Sequence, residues 1–439
     1  MMYESMTRIS DITAREILDS RGNPTVEVDV ILESGALGRA IAPAGASRGT
    51  REAIDLRDGG QALRGKGVER ALANVNGPIA AALTGLEVAD QAAADRAILG
   101  LDASPLKETI GGNAAVAASL AVLHAAAAEA GKPLWRHVAD HYGREASLPL
   151  PEIQIFGGGA HAGRRVDIQD FMIMVPGAKD FDEVMEVTNA VYFAAGDIMA
   201  ARGKLAGVAD EGGWWPSFDS NEEALETLVT AIEKAGEKPG ERLVISLDIA
   251  ASEFGKDGEY HLALENRALD SSALIDMLGA WLDAYPIVSI EDPLGEDDPD
   301  GMAEFTRRFG DRVQIIGDDF LVTNAGLVER AAAAGACNAV LLKVNQAGTV
   351  SESIETFRAA QAAGWGCVVS ARSGETEDVS ISHLATGLGC GQLKVGSFQR
   401  SERMAKWNEC LRIQDKLGAE RFVRGKPLEA SWWGKKRKG

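Results

Sequence analysis

A series of short apolar runs lies between Leu243 and Lys394, and the first of them is Val244-Ile245-Ser246-Leu247-Asp248. Each run leads into a charged or polar residue that does not belong in a hydrophobic core. Helical patterns separate most of the runs, so they predict the strands of a parallel sheet with helices between them. The residues at the ends of the runs are, in chain order, Asp248, Glu291, Asp318, Lys343, the pair Arg372 and Ser373, and Lys394.

A parallel sheet with a helix after each strand can close into a barrel, in which catalytic residues lie at the carboxyl ends of the strands. Asp248, Glu291 and Asp318 would then converge on one point. Carboxylate oxygens without thiolates or imidazoles are the ligands that Mg²⁺ prefers. The alternative is that each carboxylate caps the helix that follows its strand. Three such residues in successive units, followed by lysines, favour the metal site.

Six longer strings of the chain are distinctive, at 19–28, 210–213, 289–293, 342–346, 372–378 and 400–403. In this order, and along nearly the whole length of the chain, they resemble the enolase family, the phosphopyruvate hydratases of glycolysis. The resemblance is specific because the strings are long. It implies a divergent member with an enolase-type α/β barrel of ββαα(βα)6 order, preceded by an N-terminal α+β capping domain.

The distribution of patterns along the chain predicts two domains. Residues 7–35 alternate apolar and polar side chains, which indicates antiparallel strands, and residues 51–130 are helical in pattern. A polar, proline-bearing segment at 143–151 is a plausible boundary. We therefore predict a capping domain over 1–145 and a barrel domain over 146–439.

The barrel domain is predicted to begin with two consecutive strands, at Ile153–Phe156 and Phe171–Met174. Helices are expected next, at about Phe181–Arg202 and Asn221–Ala235, before the regular strand–helix units. The basic segment Gly434–Gly439 is expected to be a solvated tail.

Composition restricts the partners. The chain of 439 residues carries a formal net charge of −20, which argues against nucleic-acid binding and requires a locally positive site for any anionic substrate. The alanine-rich segment 114–130 is too short and too weakly apolar to span a bilayer. Met1–Met6 lacks the features of a signal peptide, and no cysteines form a C-x-x-C pair. We expect a cytoplasmic protein that binds neither nucleic acid nor membrane.

The resemblance also implies a site. Lys343 corresponds to the general base, and Glu211 to the acid that protonates the leaving hydroxyl, with Asp170 and His161 as its catalytic neighbours. Two Mg²⁺ ions are implied per active site, the first held by Asp248, Glu291 and Asp318, the second held by Ser47 and arriving with the substrate. Contacts with a small phosphorylated or phosphonylated acid are expected from Arg372, Ser373, Lys394, Gln169, Ala46, Arg48, Arg164 and Arg165.

Simpler roles remain open for three of these residues. Lys343 could be a structural ion-pair partner of a carboxylate. Glu211 could be a turn carboxylate beside the following glycines. His161 could be an exposed loop residue. The resemblance further implies a homodimer or a higher even oligomer, in which Glu27 of one chain pairs with Arg412 of the other.

The chain departs from the family pattern at positions near the leaving group. Ala371 stands where the family carries a histidine, Asp170 stands where it carries a glutamate, and Arg48, Arg164 and Arg165 add positive charge to loops. One hypothesis is therefore a lyase that dehydrates 2-phosphoglycerate or a close analogue. An alternative is a carboxyphosphonoenolpyruvate-type synthase of a phosphonate-antibiotic pathway, in which the loop arginines hold an added carboxylate. A second alternative is a non-catalytic binding protein with the enolase fold.

Overall fold

The alternating residues at the start of the chain form an antiparallel sheet in the computed structural model, which describes residues 7–438. Its strands are β1 (Ile9–Leu18), β2 (Pro24–Leu32) and β3 (Leu37–Ile41), with β2 in the middle. The apolar side chains of β2, except Ile31, are buried against the helices that follow. The expectation about Met1–Met6 concerns residues outside the described part of the chain.

The helical pattern that follows the sheet gives a set of helices packed on it. The longest of them is α4 (Gly112–Glu129). It is buried along almost its whole length, because its alanines allow close approach to β2 and β3. No single helix within residues 7–438 is long and apolar enough to cross a membrane; α4 and α5 pass such a test only as a pair, bent by 96°. The helices are α1 (Glu69–Asn74), α2 (Ala80–Leu83), α3 (Gln91–Leu99), α4 (Gly112–Glu129) and α5 (Leu134–Tyr142).

The rest of the described chain is built around a closed barrel. The elements up to the first parallel unit are β4 (Leu150–Gly157), β5 (Asp170–Met174), α6 (Phe181–Ala201), α7 (Asn221–Lys234) and β6 (Val244–Asp248). A small sheet follows, with β7 (Gly255–Lys256), β8 (Glu259–Leu262) and β9 (Arg267–Asp270). The remaining elements are α8 (Ser271–Ala284), β10 (Ile287–Glu291), α9 (Pro299–Phe309), β11 (Gln314–Gly317), α10 (Ala325–Ala334), β12 (Ala339–Leu342), α11 (Val344–Ala347), α12 (Val350–Ala362), β13 (Gly366–Ser370), α13 (Ser380–Leu388), β14 (Gly391–Gly396), α14 (Ser401–Leu417) and α15 (Trp432–Lys438).

The barrel closes in the order β10-β11-β12-β13-β14-β4-β5-β6. Strand β5 runs antiparallel to both β4 and β6, and the other neighbours are parallel. The strand, strand, helix, helix opening and the strand–helix units after it confirm the predicted fold class. The barrel strands are buried on both faces, since helices cover the outside and side chains fill the inside.

Two features differ from the sequence-based expectations. The sheet β7–β9 was not predicted, because its strands of two to four residues are too short for a recognisable alternation. Residues 434–438 of the predicted tail belong to the helix α15, in which residues 435–438 are exposed, as expected for a solvated segment. Trp433 is buried and donates from Nε1 to the backbone oxygen of Glu241 at 2.6 Å, so an aromatic anchor holds the basic helix on the protein.

Gly38 in β3 marks the closest approach between the N-terminal sheet and α4. A Cβ atom at this position would lie 2.1 Å from the backbone oxygen of Ala121 and 2.2 Å from the backbone nitrogen of Ala125. We predict that Gly38→Ala lowers the free energy of unfolding by about 3 kcal/mol, since backbone atoms of a packed helix cannot give way locally. The measurement is the thermal unfolding midpoint.

Gly326 in α10 provides the matched control for this substitution. Its Cβ would meet atoms no closer than 3.4 Å. Gly326→Ala should leave stability unchanged or raise it by roughly 0.5–1 kcal/mol through helix propensity. Equal midpoints for the two variants would contradict the tight packing between β3 and α4.

Candidate active site

The barrel register brings the predicted residues to one end of the barrel. Asp248 and Glu291 are Cα partners on β6 and β10, and Asp170 is the partner of Asp248 across β5 and β6. Ser370 and Lys394 are partners on β13 and β14. Because β5 runs in the opposite direction, its first residue lies at the same end as the last residues of its neighbours. The convergence expected from the strand ends is therefore present in the structure.

A narrow cavity of about 10 Å³, roughly the space of one water molecule, opens at this end. Among the residues predicted for the site, Glu291, Asp318, Ala46 and the three loop arginines do not line it, and Glu291 and Asp318 lie directly behind its lysines. The cavity is lined by Ser47, His161, Gln169, Asp170, Glu211, Asp248, Lys343, Ser370, Ala371, Arg372, Ser373, Lys394 and Val395.

Two buried lysines neutralise the three carboxylates predicted to hold metal. The Nζ atom of Lys394 lies 2.7 Å from Asp248 Oδ2 and 2.9 Å from Glu291 Oε2. Lys343 Nζ contacts Asp318 Oδ2. The lysines and carboxylates are all buried, so each charge depends on its partners for the solvation that water would otherwise provide.

These contacts shift the protonation of the groups involved. Burial and the nearby Asp248 carboxylate raise the pKa of Glu291 well above its ordinary value, although Lys394 opposes the shift. Burial acts against ionisation of Asp318 too, but the ion pair with Lys343 outweighs it and lowers the pKa of Asp318. The same pair raises the pKa of Lys343 despite burial. Lys343 is therefore held protonated in this arrangement.

The three carboxylates predicted to hold metal form a set of ligands that fits Mg²⁺. Asp248, Glu291 and Asp318 offer carboxylate oxygens, the ligand type that this ion prefers. Glu291 Oε1 is buried and has no hydrogen-bond partner among the described residues, so an acceptor is available there. Among the described residues, the groups whose possible ligand atoms all lie within 4.8 Å of one another are different ones, His161 with Asp170 and Glu211, and Asp292 with Asp318 and Asp319.

Asp292 has a structural role beside the predicted metal wall. Its two oxygens accept hydrogen bonds from the backbone nitrogens of Asp318 at 2.8 Å and Asp319 at 2.7 Å. Gln346 Nε2 donates to Asp318 Oδ1 at 2.9 Å. These contacts fix the backbone and the side chain of Asp318 where β11 ends.

Arg372 and Ser373 line the cavity and lie against the loop that carries Ser47. The guanidinium of Arg372 makes a two-point contact with Glu52, with both nitrogen–oxygen distances at 3.1 Å. Arg372 Nη2 also donates to the backbone oxygen of Ser47 at 2.9 Å. Ser373 Oγ accepts from the backbone nitrogen of Ala46 at 2.6 Å. The loop from the capping domain is thus joined to the barrel through the residues predicted to bind phosphate.

His161 joins the two carboxylates predicted for the acid step. Its Nδ1 lies 3.2 Å from Asp170 Oδ1, and its Nε2 lies 3.8 Å from Glu211 Oε1. Burial lowers the pKa of His161, but the charges of Glu211 and Asp170 outweigh burial and raise the pKa to about 9. His161 is buried rather than exposed, so the simpler role considered for it does not describe this structure.

The three loop arginines do not reach the cavity. Arg48 Nε lies 3.8 Å from Glu52 Oε2, and Arg164 Nη2 lies 2.7 Å from Glu253 Oε2. Arg165 Nη2 lies 3.8 Å from Asp219 Oδ1. Each arginine has a carboxylate closer than any cavity-lining acid, and the side chain of Arg164 is 67% exposed. The structure therefore does not bring them together with the other predicted substrate contacts.

Other residues shape the site but were not predicted for it. A role for Glu52 could have been predicted from a general rule, because a buried arginine such as Arg372 requires a carboxylate partner. Gln154 could have been found as a polar residue inside an apolar strand; it donates to Asp170 Oδ1 and accepts from the backbone nitrogen of Gly213 at 2.8 Å. The sequence indicates no role for Arg403 beyond its position in the segment 400–403, which resembles the family.

Two family descriptions match the chain. One is "Enolase, N-terminal domain" over residues 9–138, and the other is "Enolase, C-terminal TIM barrel domain" over residues 145–431. The chain belongs to the enolase family. This assignment confirms the resemblance found in the sequence and supports a lyase of the enolase superfamily in general terms. The acidic clusters of the chain are groups that could bind a metal ion.

The protonation of His161 in this enolase-family chain can be tested directly. We predict that its imidazole titrates near pH 9 in ¹⁵N spectra of histidine-labelled protein, and that Asp170→Asn lowers this pKa by removing one of the two carboxylates. His161 then stabilises the fold fully below its unfolded pKa of about 6.5, and this contribution disappears as the pH rises through about 9.

His124 serves as an internal control in the same spectra. It is partly buried beside Ser380, with Nε2 2.7 Å from the hydroxyl oxygen, and this burial lowers its pKa. Its resonances should not respond to Asp170→Asn. A pKa of His161 below 6.5 in the unsubstituted protein would contradict the charge arrangement described above.

Proposed function

We propose that this chain is a Mg²⁺-dependent hydro-lyase that dehydrates 2-phosphoglycerate or a close analogue to an enol product. The observation that carries the proposal is the pairing of two buried lysines with three carboxylates, beside a histidine that lies between two further carboxylates, all at one end of the barrel. Such an arrangement separates a base from an acid around one small substrate. The family assignment supports the general class of reaction.

Lys343 is proposed as the base that removes the α-proton. Since its ion pair with Asp318 holds it protonated, this contact must loosen before the amine accepts a proton. Mg²⁺ held by Asp248, Glu291 and Asp318, with a second ion at Ser47, would supply the positive charge that stabilises a doubly charged enediolate. Lys394 is then free to turn toward the substrate carboxylate.

Arg372 and Ser373 are proposed to bind the phosphate. A guanidinium matches two oxygens of a phosphate as it matches the two oxygens of Glu52 here. Glu211 is proposed to protonate the departing hydroxyl, with His161 as the group that orients it and Asp170 as the partner that holds His161. Burial of these side chains excludes water from the reacting groups.

A changed substrate is the second candidate. Ala371 lies on the cavity wall, where a methyl group leaves space and no proton donor. This observation favours an analogue of 2-phosphoglycerate with a different group near the leaving hydroxyl, such as a carboxyphosphono acid. The loop arginines do not add support, because they contact Glu52, Glu253 and Asp219. A non-catalytic role is disfavoured, since a binding protein does not require costly buried lysine–carboxylate pairs.

The two halves of the proposed reaction can be measured separately. We expect exchange of the α-proton of 2-phosphoglycerate in D₂O, followed by NMR, to exceed net dehydration, followed by absorbance of the enol product. Loss of a positioned acid typically costs about 10²–10⁴-fold. The double substitution Ala371→His with Asp170→Glu should raise dehydration of 2-phosphoglycerate, because it returns the groups that the family carries there.

Lys343→Ala is the control for these assays, and it should remove both exchange and dehydration. Dehydration by the unsubstituted protein at the rate of its exchange would show that Ala371 is a neutral replacement. Absence of both activities, with Mg²⁺ still bound, would instead favour the changed substrate.

We also propose that the protein is cytoplasmic and forms a homodimer or a higher even oligomer through the N-terminal sheet. Glu27 contacts Arg15 within the chain, and Arg412 Nη1 lies 2.8 Å from Glu409 Oε2. The sheet also exposes apolar side chains, and Ile31 and Leu37 are register partners on β2 and β3. Apolar contact is what a stable interface needs, since exposed ion pairs add little.

Sedimentation at micromolar concentration tests this interface. The double substitution Ile31→Glu with Leu37→Glu should yield monomer, because it places charge in the apolar contact. Leu205→Glu alters an exposed leucine outside the sheet and should leave the oligomer intact. A monomeric unsubstituted protein would exclude the proposed assembly.

A further inference from the structure

A connected group of polar side chains crosses the inside of the barrel beneath the site. Glu152 on β4 accepts a hydrogen bond from Ser246 Oγ at 3.0 Å and another from Gln392 Nε2 at 2.7 Å. Gln314 Nε2 lies 2.7 Å from Gln392 Oε1, and Ser289 Oγ donates to Gln314 Oε1 at 3.1 Å. All five residues are buried. We call them the barrel network.

The members of the barrel network occupy particular strand positions. Side chains two residues apart on a strand point to the same face, so a network member and the residue two positions later both point into the barrel. The pairs are Ser246 with Asp248 on β6, Ser289 with Glu291 on β10, and Gln392 with Lys394 on β14. The network therefore lies one step below the charged wall of the site, on the same strands.

Glu152 is the charged member of this network and lacks a nearby cation. Among the described residues, no lysine, arginine or histidine nitrogen lies within ion-pair distance of its carboxyl group. Burial raises its pKa, and Lys394 acts in the opposite direction. A barrel interior is ordinarily filled with branched apolar side chains. A buried acid there is costly unless its hydrogen bonds hold neighbours in defined places.

We propose that Glu152 is a positioning residue. By accepting from both Ser246 and Gln392, it fixes the relative position of β6 and β14, and with them Asp248 and Lys394 two residues further on. The proposal rests on the proposed function, which assigns Asp248 to the metal and Lys394 to the substrate. Groups that support a metal ligand in this way typically contribute about 10–100-fold to metal affinity or activity.

The decisive variants are Glu152→Met and Glu152→Gln. Methionine has a similar length but removes both acceptors. Glutamine keeps the shape, since its oxygen can accept from Gln392 and its amide nitrogen can donate to the Ser246 hydroxyl. The readouts are the Kd for Mg²⁺, from the rise of the thermal midpoint with Mg²⁺ concentration, and kcat and KM for α-proton exchange. We expect Glu152→Met to raise the Kd by about tenfold or more and to lower kcat, and Glu152→Gln to restore both to within about threefold.

Asp95→Asn is the matched control. Asp95 is a buried acid of the capping domain that accepts from Ser119 Oγ at 2.6 Å and Ser351 Oγ at 2.6 Å, so its loss also removes hydrogen bonds from a core. It does not line the cavity. Its substitution should lower the thermal midpoint without changing the Kd for Mg²⁺ or the exchange rate. An equal loss of Mg²⁺ affinity in Asp95→Asn and Glu152→Met would overturn the proposal, since it would reflect stability alone.

Ser246→Ala provides a smaller change if Glu152→Met does not fold. It removes one of the two bonds to Glu152 and should raise the Kd for Mg²⁺ severalfold. An unchanged Kd in Ser246→Ala, or in a folded Glu152→Met, overturns the proposal. Binding of Mg²⁺ by the unsubstituted protein without exchange of 2-phosphoglycerate would count against the proposed function on that substrate, while the comparison of Kd values would still decide the role of Glu152.

Discussion

The arrangement of the site depends on the burial of two lysine side chains among three carboxylates at the end of the barrel. Lys394 contacts Asp248 and Glu291, and Lys343 contacts Asp318. Removing one partner of a buried ion pair typically costs about 3–5 kcal/mol, because the remaining charge is left without solvation. The charges must therefore be brought together with accuracy, and the strand register does this by placing Glu291 directly beside Asp248.

Much of this arrangement could be predicted from the sequence, for a physical reason. A strand buried on both faces is apolar, so a charged residue at its end is conspicuous, as at Asp248 and Glu291. Parallel strands place such ends at one edge, and the order of the runs then gives the order of the groups around the barrel. The fold class followed from the same pattern together with the long matching strings, and Lys343 and Lys394 followed as the next strand ends.

The partners of long side chains could not be predicted in this way. Arg48 contacts Glu52 and Arg164 contacts Glu253, so each side chain pairs with a nearby acid and does not reach the cavity. Such choices depend on distances between loops that no local pattern contains. The helix at the C-terminus could not be predicted either. Its basic residues are exposed, as their charge indicated, but the burial of Trp433 holds the helix on the protein.

Two of the departures from the family pattern, Asp170 and Ala371, affect different parts of the site. Asp170 is shared between the two halves of the site, because one oxygen lies 3.2 Å from His161 Nδ1 and the other lies 3.5 Å from Lys394 Nζ. A longer or shorter side chain at position 170 therefore changes the electrostatic surroundings of both His161 and Lys394. The backbone nitrogen of Ala371 donates to the backbone oxygen of Lys394 at 2.8 Å, and Ala371 lines the cavity. Its effect is confined to the space and the proton donors available to the substrate, which makes Ala371 the position where a changed substrate would be recognised.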